Sequence, residues 1–269
     1  MNKLWEKYKW DIWNPKTLPL IDTPAYEKRI AICTTCMGRT SDLKATLPAN
    51  IASNADYRNL EFVVLDYGSK DDMYEFMMSD LIRPFLTMGR VRYLRTKRPN
   101  HFSMSHSRNI AFLNSKADIV TNVDADNFTG RSFAVMLNKL AATCQKKAFF
   151  SKGKRGLHGR IGMYKSEFQQ IGGYDEDLRG YGFDDHSLMI RAMNSGFKMM
   201  WWGGLTDEDF TRRLRTPRNR VAENMIDKNW RNSEMLNHEL TINKVERGVL
   251  VTNQGRPWGV IDDLEQVMP

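Results

Sequence analysis

The chain has 269 residues, 41% of them hydrophobic, and a formal net charge of +8. That length fits one larger domain or a domain with an appended end. A mean hydropathy of −0.54, with no apolar run near the roughly 18 residues of a membrane span, argues for a soluble protein. Three cysteines cannot build a disulfide framework, and the one C-x-x-C, Cys33 and Cys36, has no second pair to complete a zinc site. The N-terminus, M-N-K-L-W-E-K-Y-K-W, lacks the apolar core of a signal peptide, so a cytoplasmic location is the expectation.

In chain order, residues 1–27 carry Trp5, Trp10, Trp13, Pro15, Pro19 and Pro24 with no regular period, and read as an arm that packs along the domain or against a partner. A strand near 29–34, a helix near 41–54, a strand at 60–66 and a helix near 71–82 follow. A strand at 90–95, a helix at 105–115 and a strand at 118–123 continue the alternation. Such a βαβα pattern predicts an α/β fold with a mostly parallel central sheet and helices on both faces. Beyond it, 131–146 suits a helix, and Phe149-Phe150-Ser151 and Arg160 to Tyr164 add strands around the site. Asp184 to Ser195 reads as a helix stopped by Gly196, and Lys198 to Trp202 as the last core strand. Pro217 to Leu236 reads as a further helix in a basic extension over 211–269, whose last thirty residues carry no clear pattern.

The run Thr121 to Asn127, T-N-V-D-A-D-N, places Asp124 and Asp126 at the C-terminal end of a predicted buried strand. In open α/β sheets that rim is where ligands bind. Paired carboxylates there suit Mg²⁺ or Mn²⁺, which accept a carboxylate or two together with substrate phosphates. Taken alone, the same residues serve equally well as a turn in which Asp and Asn cap backbone groups.

Further along stands Ile171 to Leu188, I-G-G-Y-D-E-D-L-R-G-Y-G-F-D-D-H-S-L. With the D-x-D, this segment resembles the nucleotide-sugar glycosyltransferases of the GT-A fold, nearest to family 2 and to the galactosyltransferase-like enzymes with G-G-F-D-E and G-W-G-x-E-D. Arg29 to Arg39 looks like the first strand and donor loop of that family. Glu61 to Asp72 looks like E-x-x-V-V-D-x-G-S-x-D, and Ser107-Arg108-Asn109 like the A-R-N segment before the D-x-D strand. The resemblance covers residues 28 to about 205, within a domain drawn at 28–210.

The resemblance implies transfer of a hexosyl or N-acetylhexosaminyl group from a nucleoside diphosphate sugar, with UDP favoured, to a hydroxyl of a glycan or other acceptor. Asp66 would hydrogen-bond the uracil ring. Thr34, Thr35, Arg39, Arg108 and Asp124 would lie along the donor. Asp126, with Asp124, would hold Mn²⁺ or Mg²⁺. Asp185 would be the catalytic base of an inverting reaction, with Asp184 orienting acceptor hydroxyls beside Gly182 and Phe183. Two departures stand out. Ser187 replaces the last carboxylate of E-D-x-D, and no histidine lies between His186 and His238, where relatives carry a metal ligand. Asp207 is the first expectation for that third ligand and Asp209 the second.

The basic balance leaves a polyanionic partner open. From Leu81 to Ala117 there is no acidic residue, while Arg83, Arg90, Arg92, Arg95, Lys97, Arg98, Arg108 and Lys116 are present. Further basic clusters fall in 145–160 and 212–220. The simpler reading is a set of solvated faces; the sharper one is nucleic acid, including a glycosyltransferase acting on modified DNA bases. A sugar nucleotidyltransferase shares the architecture but would want a G-x-G-x-R loop, which Cys33 to Arg39 lacks. Oligomeric state is not legible.

Overall fold

The computed structural model describes residues 12–13, 28–144, 148–151, 159–201, 213–214 and 223–269. The first half alternates as the hydrophobic pattern predicts: β2 (Ile30–Cys36), α1 (Thr40–Ser53), β3 (Leu60–Tyr67), α2 (Met73–Met77), α3 (Arg83–Thr87), β4 (Val91–Thr96), α4 (Met104–Leu113) and β5 (Ile119–Asn122). There follow α5 (Phe133–Cys144), β6 (Ala148–Ser151), β7 (Gly162–Tyr164), α6 (Lys165–Gln170), α7 (Asp184–Asn194), β8 (Lys198–Trp201), α8 (Trp230–Glu246) and β9 (Glu265–Val267), with β1 (Ile12–Trp13) upstream. Among the described residues the strands form one sheet in the order β1-β8-β6-β7-β5-β2-β3-β4-β9. The pairs β2/β3, β2/β5, β3/β4, β6/β8 and β1/β8 are parallel, and β5/β7, β6/β7 and β4/β9 antiparallel.

This order fixes where a ligand can enter. From β2 the chain builds outward through β3 and β4, then crosses back to lay β5 on the other side of β2. The strand order therefore reverses between β2 and β5, and a crevice at the carboxyl ends of these two strands is where an open α/β sheet takes its ligand. Both faces are covered. On one, Leu43, Leu47 and Ile51 of α1 and Phe133, Leu137 and Leu140 of α5 pack on Ile30, Ile32, Phe62 and Val64. On the other, Ile110 and Phe112 of α4 and Leu188 and Ala192 of α7 pack on Ala31, Cys33, Val63 and Leu65. Burial on both faces explains why β3, L-E-F-V-V-L-D-Y, shows no alternation.

Cys33 and Cys36 stand three apart on one strand and so point to opposite faces, one into each core cluster. Burial pushes the Cys36 thiol up to about 12. Both serve as packing.

Three sequence expectations shift. The helix expected over 71–82 is interrupted after Met77 and restarts as α3, with Pro84 in its first turn, where a missing N–H costs nothing. Of the helix expected over 217–236, residues 217–222 lie outside the described residues. In the rest a helix begins only at Trp230, where Asn229 caps it by accepting from the Asn232 N–H at 3.3 Å, and runs on to Glu246. Its buried stripe, Ser233, Asn237, Thr241 and Val245, is mostly polar, so apolar periodicity could not find it. The C-terminal residues that carried no pattern supply β9, which pairs antiparallel with β4. No described helix is long and apolar enough to cross a membrane.

Candidate active site

Where β5 ends, the Val123 N–H donates to Cys33 O at 2.9 Å, joining the two central strands at the crevice. The next residues form a turn, with the Asn127 N–H donating to Asp124 O at 2.9 Å. From α1, the Thr46 hydroxyl donates to Ala125 O at 2.6 Å and the Asn50 amide to Asn127 O at 3.0 Å. The turn reading of the D-x-D is thus realised in its backbone. Buried neighbours satisfy the turn's backbone, Ala125 points inward, and the carboxylates of Asp124 and Asp126 line a cavity of about 610 Å³.

Arg108, on α4 and 2% exposed, lies at the cavity's base. One guanidinium nitrogen donates to Asp184 Oδ2 and, at 2.7 Å, to Asp185 Oδ1; the other donates to Asp124 Oδ1 at 3.1 Å. The planar fork of arginine allows one cation to hold carboxylates from β5 and α7 together. Asn122 adds a second hold on Asp124 Oδ1, 2.9 Å away, and ties it to Gly159 O, also at 2.9 Å. Gly159 closes the wall so tightly that a Cβ there would stand 3.0 Å from Asp185 Oδ2 and 3.1 Å from Asp124 Oδ2.

The electrostatics follow from this packing. Burial pushes Asp124 up, but Arg108 and Asn122 outweigh it and hold its carboxyl below the usual range. Burial raises Asp185 well above that range, more than Arg108 draws it down, and raises its neighbour Asp184 as well. Burial and the charge of Asp124 raise Asp126, although Arg39 lies 3.3 Å away. Arg39 is itself shared with Asp42 at 2.8 Å. Burial lowers Arg160 to about 10, and its guanidinium donates to Asn127 Oδ1 and Phe128 O beneath the same turn.

The second motif is held from three sides. Gly172 has φ +74, and a Cβ there would collide with the Thr252 carbonyl. Asn109 of α4 donates to Tyr174 O at 2.9 Å and to Glu176 at 2.8 Å, while Arg191 of α7 donates to Gly173 O at 2.6 Å. From α8, Asn237 donates to Arg179 O and Gly182 O, and the Ser233 hydroxyl accepts from the Tyr181 N–H. The polar buried stripe of α8 is therefore a mould for the G-Y-G loop. Phe183 then takes a left-handed backbone, φ 65, and α7 starts with Asp184 and Asp185 in its first turn. Phe183 stacks on His186 and meets His238 edge-on. Tyr181, Trp230, Arg231 and Glu234 complete that side of the cavity.

Of the residues expected from sequence, Thr35, Arg39, Arg108, Asp124, Asp126, Gly182, Phe183, Asp184 and Asp185 all line the one cavity. Thr34 and Asp66 are not among its lining. The Thr34 hydroxyl is spent on Val123 O at 2.8 Å. Asp66 is 1% exposed and accepts from the Ser69 N–H at 2.8 Å and the Tyr93 hydroxyl at 2.9 Å, with Arg95 at 3.3 Å. It acts on its surroundings through Ser69, whose hydroxyl accepts from the Gly38 N–H at 3.2 Å. Gly38, Gly68, Lys70, Asp71, Asn100 and Asn224 line a smaller cavity of about 360 Å³ beside the first. Asp207 and Asp209 lie outside the described residues. Sequence reasoning missed Asn122, Gly159, Trp230 and Glu234; the last two sit on a helix that reaches the site only through tertiary folding.

The acid-free stretch is largely committed internally. Arg90 donates to the carbonyls of Asn54, Tyr57, Arg58 and Leu60, Arg92 to Asn114 O, Arg95 pairs with Asp66 and Arg98 with Asp262. Few of its arginines remain for an external polyanion.

The chain resembles solved glycosyltransferase structures in fold. With a mannosyltransferase from Pyrobaculum calidifontis in complex with GDP-Man and Mn²⁺ the TM-score is 0.54 at 20% identity, covering 74% of this chain and 59% of that one. With GalNAc-T7 in complex with UDP, GalNAc and Mn²⁺ it is 0.55 at 14% identity, covering 66% and 43%. With S. aureus TarS 1–349 in complex with UDP it is 0.50 at 11% identity, covering 62% and 55%. The chain thus spans between 43% and 59% of the length of these proteins. No curated protein matches it by sequence. A model described as the N-terminal domain of galactosyltransferase matches residues 138–239. The model of glycosyl transferase family 2 matches residues 31–181, more than half of the sequence, including every strand from β2 to β7, the D-x-D and the G-G-Y-D-E turn: the chain belongs to glycosyl transferase family 2.

Proposed function

We propose that the protein transfers a sugar from a nucleoside diphosphate sugar, with UDP the favoured nucleotide, to an acceptor hydroxyl by a single inverting displacement. One observation carries this reading. Two carboxylates at the β5 end, Asp124 and Asp126, and two at the α7 start, Asp184 and Asp185, face one cavity across the buried Arg108. Such a site offers a polar cradle for a diphosphate on one side and a proton acceptor on the other.

The donor set fits a divalent cation. Asp124 and Asp126 offer hard oxygens, Asp124 Oδ2 is not used by Arg108 or Asn122, and the strain that raises Asp126 is relieved by positive charge. Among the described residues no three His, Cys, Asp or Glu side chains are grouped to hold an ion, and donor phosphates are proposed to complete the coordination. Asp207, outside the described residues, is proposed as a third protein ligand, with Asp209 second. A bound Mn²⁺ or Mg²⁺ supplies neutralisation of the charge that grows on the leaving diphosphate.

The chain's own residues do the rest. The nucleoside occupies the smaller cavity, and Asp66 shapes it through Ser69 and Gly38 instead of by direct contact. Thr35 and Arg39 border the diphosphate. Asp185 accepts the acceptor proton as the hydroxyl attacks the anomeric carbon, and Asp184, more deeply held by Arg108, orients the acceptor. Tyr181, Phe183 and Trp230 provide aromatic faces of the kind a sugar ring packs on, which favours a glycan acceptor.

The test is donor hydrolysis and transfer across a panel of UDP- and GDP-sugars, with and without Mn²⁺. Mn²⁺-dependent release of nucleoside diphosphate from one donor supports the reading. No turnover of any donor in either condition, with no nucleotide binding, overturns it.

A further inference from the structure

We infer that Arg213 is a second cation for the donor's leaving diphosphate, acting beside the D-x-D turn in the cavity that Arg108 also lines. This rests on the nucleotide-sugar reading above.

Backbone pairing fixes the position of Arg213. Residues Asn127 and Arg213 form an antiparallel bridge, and the Leu214 N–H donates to Asp126 O at 2.7 Å. A residue far along the chain is thereby registered against the D-x-D turn, and its side chain lines the same 610 Å³ cavity as Asp124 and Asp126. Of the other arginines of that lining, Arg231 lies over the Trp230 ring, 4.6 Å from its centroid, and two are held by carboxylates. Arg39 is shared by Asp42 and Asp126, and Arg108 by Asp124, Asp184 and Asp185. Arg213 makes no ion pair among the described residues, and it is exposed while lining the cavity. An extended guanidinium, always charged and able to fork across two oxygens, is matched to a phosphate.

The chemistry gives this cation a role in turnover as well as in binding. As the acceptor oxygen bonds to the anomeric carbon, the bond from that carbon to the diphosphate oxygen breaks. Its electron pair stays on that oxygen, and the acceptor proton passes to Asp185. The nucleoside diphosphate leaves with one more negative charge than it carried in the donor. Arg39 and Arg108 are already balanced by carboxylates, whereas Arg213, without an ion pair among the described residues and registered beside Asp126, is placed to meet that charge. An interaction that strengthens as charge develops lowers the barrier, not only the dissociation constant.

The experiment compares Arg213→Ala and Arg213→Lys with wild type in the full chain, by calorimetry with UDP, GDP, uridine and guanosine in the presence of Mn²⁺, and by donor turnover. The expected result is a loss of tenfold or more in affinity for whichever diphosphate wild type binds, no change for the matching nucleoside, a fall in kcat, and partial recovery in Arg213→Lys. Equal weakening of nucleoside and diphosphate would mean that the segment merely shapes the cavity, and would overturn the clamp. Unchanged diphosphate affinity and unchanged kcat in Arg213→Ala would overturn it as well. If wild type itself binds neither UDP nor GDP, the nucleotide-sugar reading fails, and the clamp falls with it.

Discussion

Asp185 Oδ1 lies 2.7 Å from the guanidinium of Arg108, so the carboxylate assigned to take the acceptor proton is paired with the same cation that holds the Asp124 carboxylate of the D-x-D. On the proposed reading, donor side and acceptor side thus share one charge. Burial of Arg108 alone would disfavour its charged form, but Asp184, Asp185 and Asp124 hold it charged. Any change to this residue therefore disturbs both halves of the site at once.

Arg108→Gln tests this directly. Removing one partner of a buried ion pair costs about 3–5 kcal/mol, since the remaining charges are left uncompensated. Three carboxylates lose their common partner here, though Asp124, with a side chain 37% exposed, retains some access to water. A loss of roughly 3 kcal/mol is expected in urea unfolding at neutral pH, with most of it recovered at acid pH as the carboxylates take up protons. A variant as stable as wild type at pH 7 contradicts the keystone role.

Asp66→Ala separates direct contact with the nucleoside from indirect shaping. The carboxylate is enclosed by Ser69, Tyr93 and Arg95, and leaving such partners unpaired costs about 1–3 kcal/mol each at most. The variant is expected to lose stability by about that amount and to bind UDP more weakly. Ser69→Ala leaves Asp66 in place but releases the Gly38 N–H, so it should reproduce the loss of affinity with little loss of stability. Normal UDP affinity in Ser69→Ala excludes the relay.

The β2-to-β5 half of the fold was legible because short segments rich in β-branched and apolar residues alternate with helix-length segments, and because the acidic motifs fall at element ends, where chain direction alone sends them to one rim. The limits are equally physical. Asp66 stands at a strand end like Asp124, yet Tyr93 and Arg95 on the neighbouring strand enclose it, and cross-strand neighbours cannot be read from local pattern. The contribution of α8 was hidden because Ser233 and Asn237 bury hydrogen bonds to the G-Y-G loop instead of apolar area. Gly159 bears no side chain to announce it, and only its closeness to Asp124 and Asp185 reveals its place.

Metal dependence is tested at Asp126. In Asp126→Ala, Arg39 keeps Asp42 as a partner, so the fold should survive with little change in urea midpoint. Mn²⁺-stimulated UDP binding should be lost, because Asp124 alone, with Oδ1 engaged by Arg108 and Asn122, leaves a single carboxylate oxygen for the ion. Titration of UDP with and without Mn²⁺ reads this out. If Mn²⁺ still enhances UDP binding in the variant as in wild type, the ion is held elsewhere.

The base assignment has both a mutational and a pH signature. Asp185→Asn keeps the shape but cannot accept a proton, so transfer should fall by about 10²–10⁴-fold while donor affinity is retained. Asp184→Asn should act mainly on acceptor KM, since the Asp184 carboxylate is 4% exposed and committed to Arg108, whereas Asp185 reaches the cavity at 15%. Burial raises Asp185 above the ordinary carboxylate value of about 4, and the reaction needs its ionised form. Activity should therefore climb with pH along an acid limb that lies above the usual carboxylate range, and that limb should vanish from the residual activity of Asp185→Asn. Stability runs the other way. The folded chain holds this proton more tightly than the unfolded one, so the Asp185 contribution declines as pH rises from about 4 through the raised value. A wild-type profile with its acid limb at about pH 4, or a larger loss of kcat in Asp184→Asn than in Asp185→Asn, would move the role of base to the other carboxylate or out of the pair.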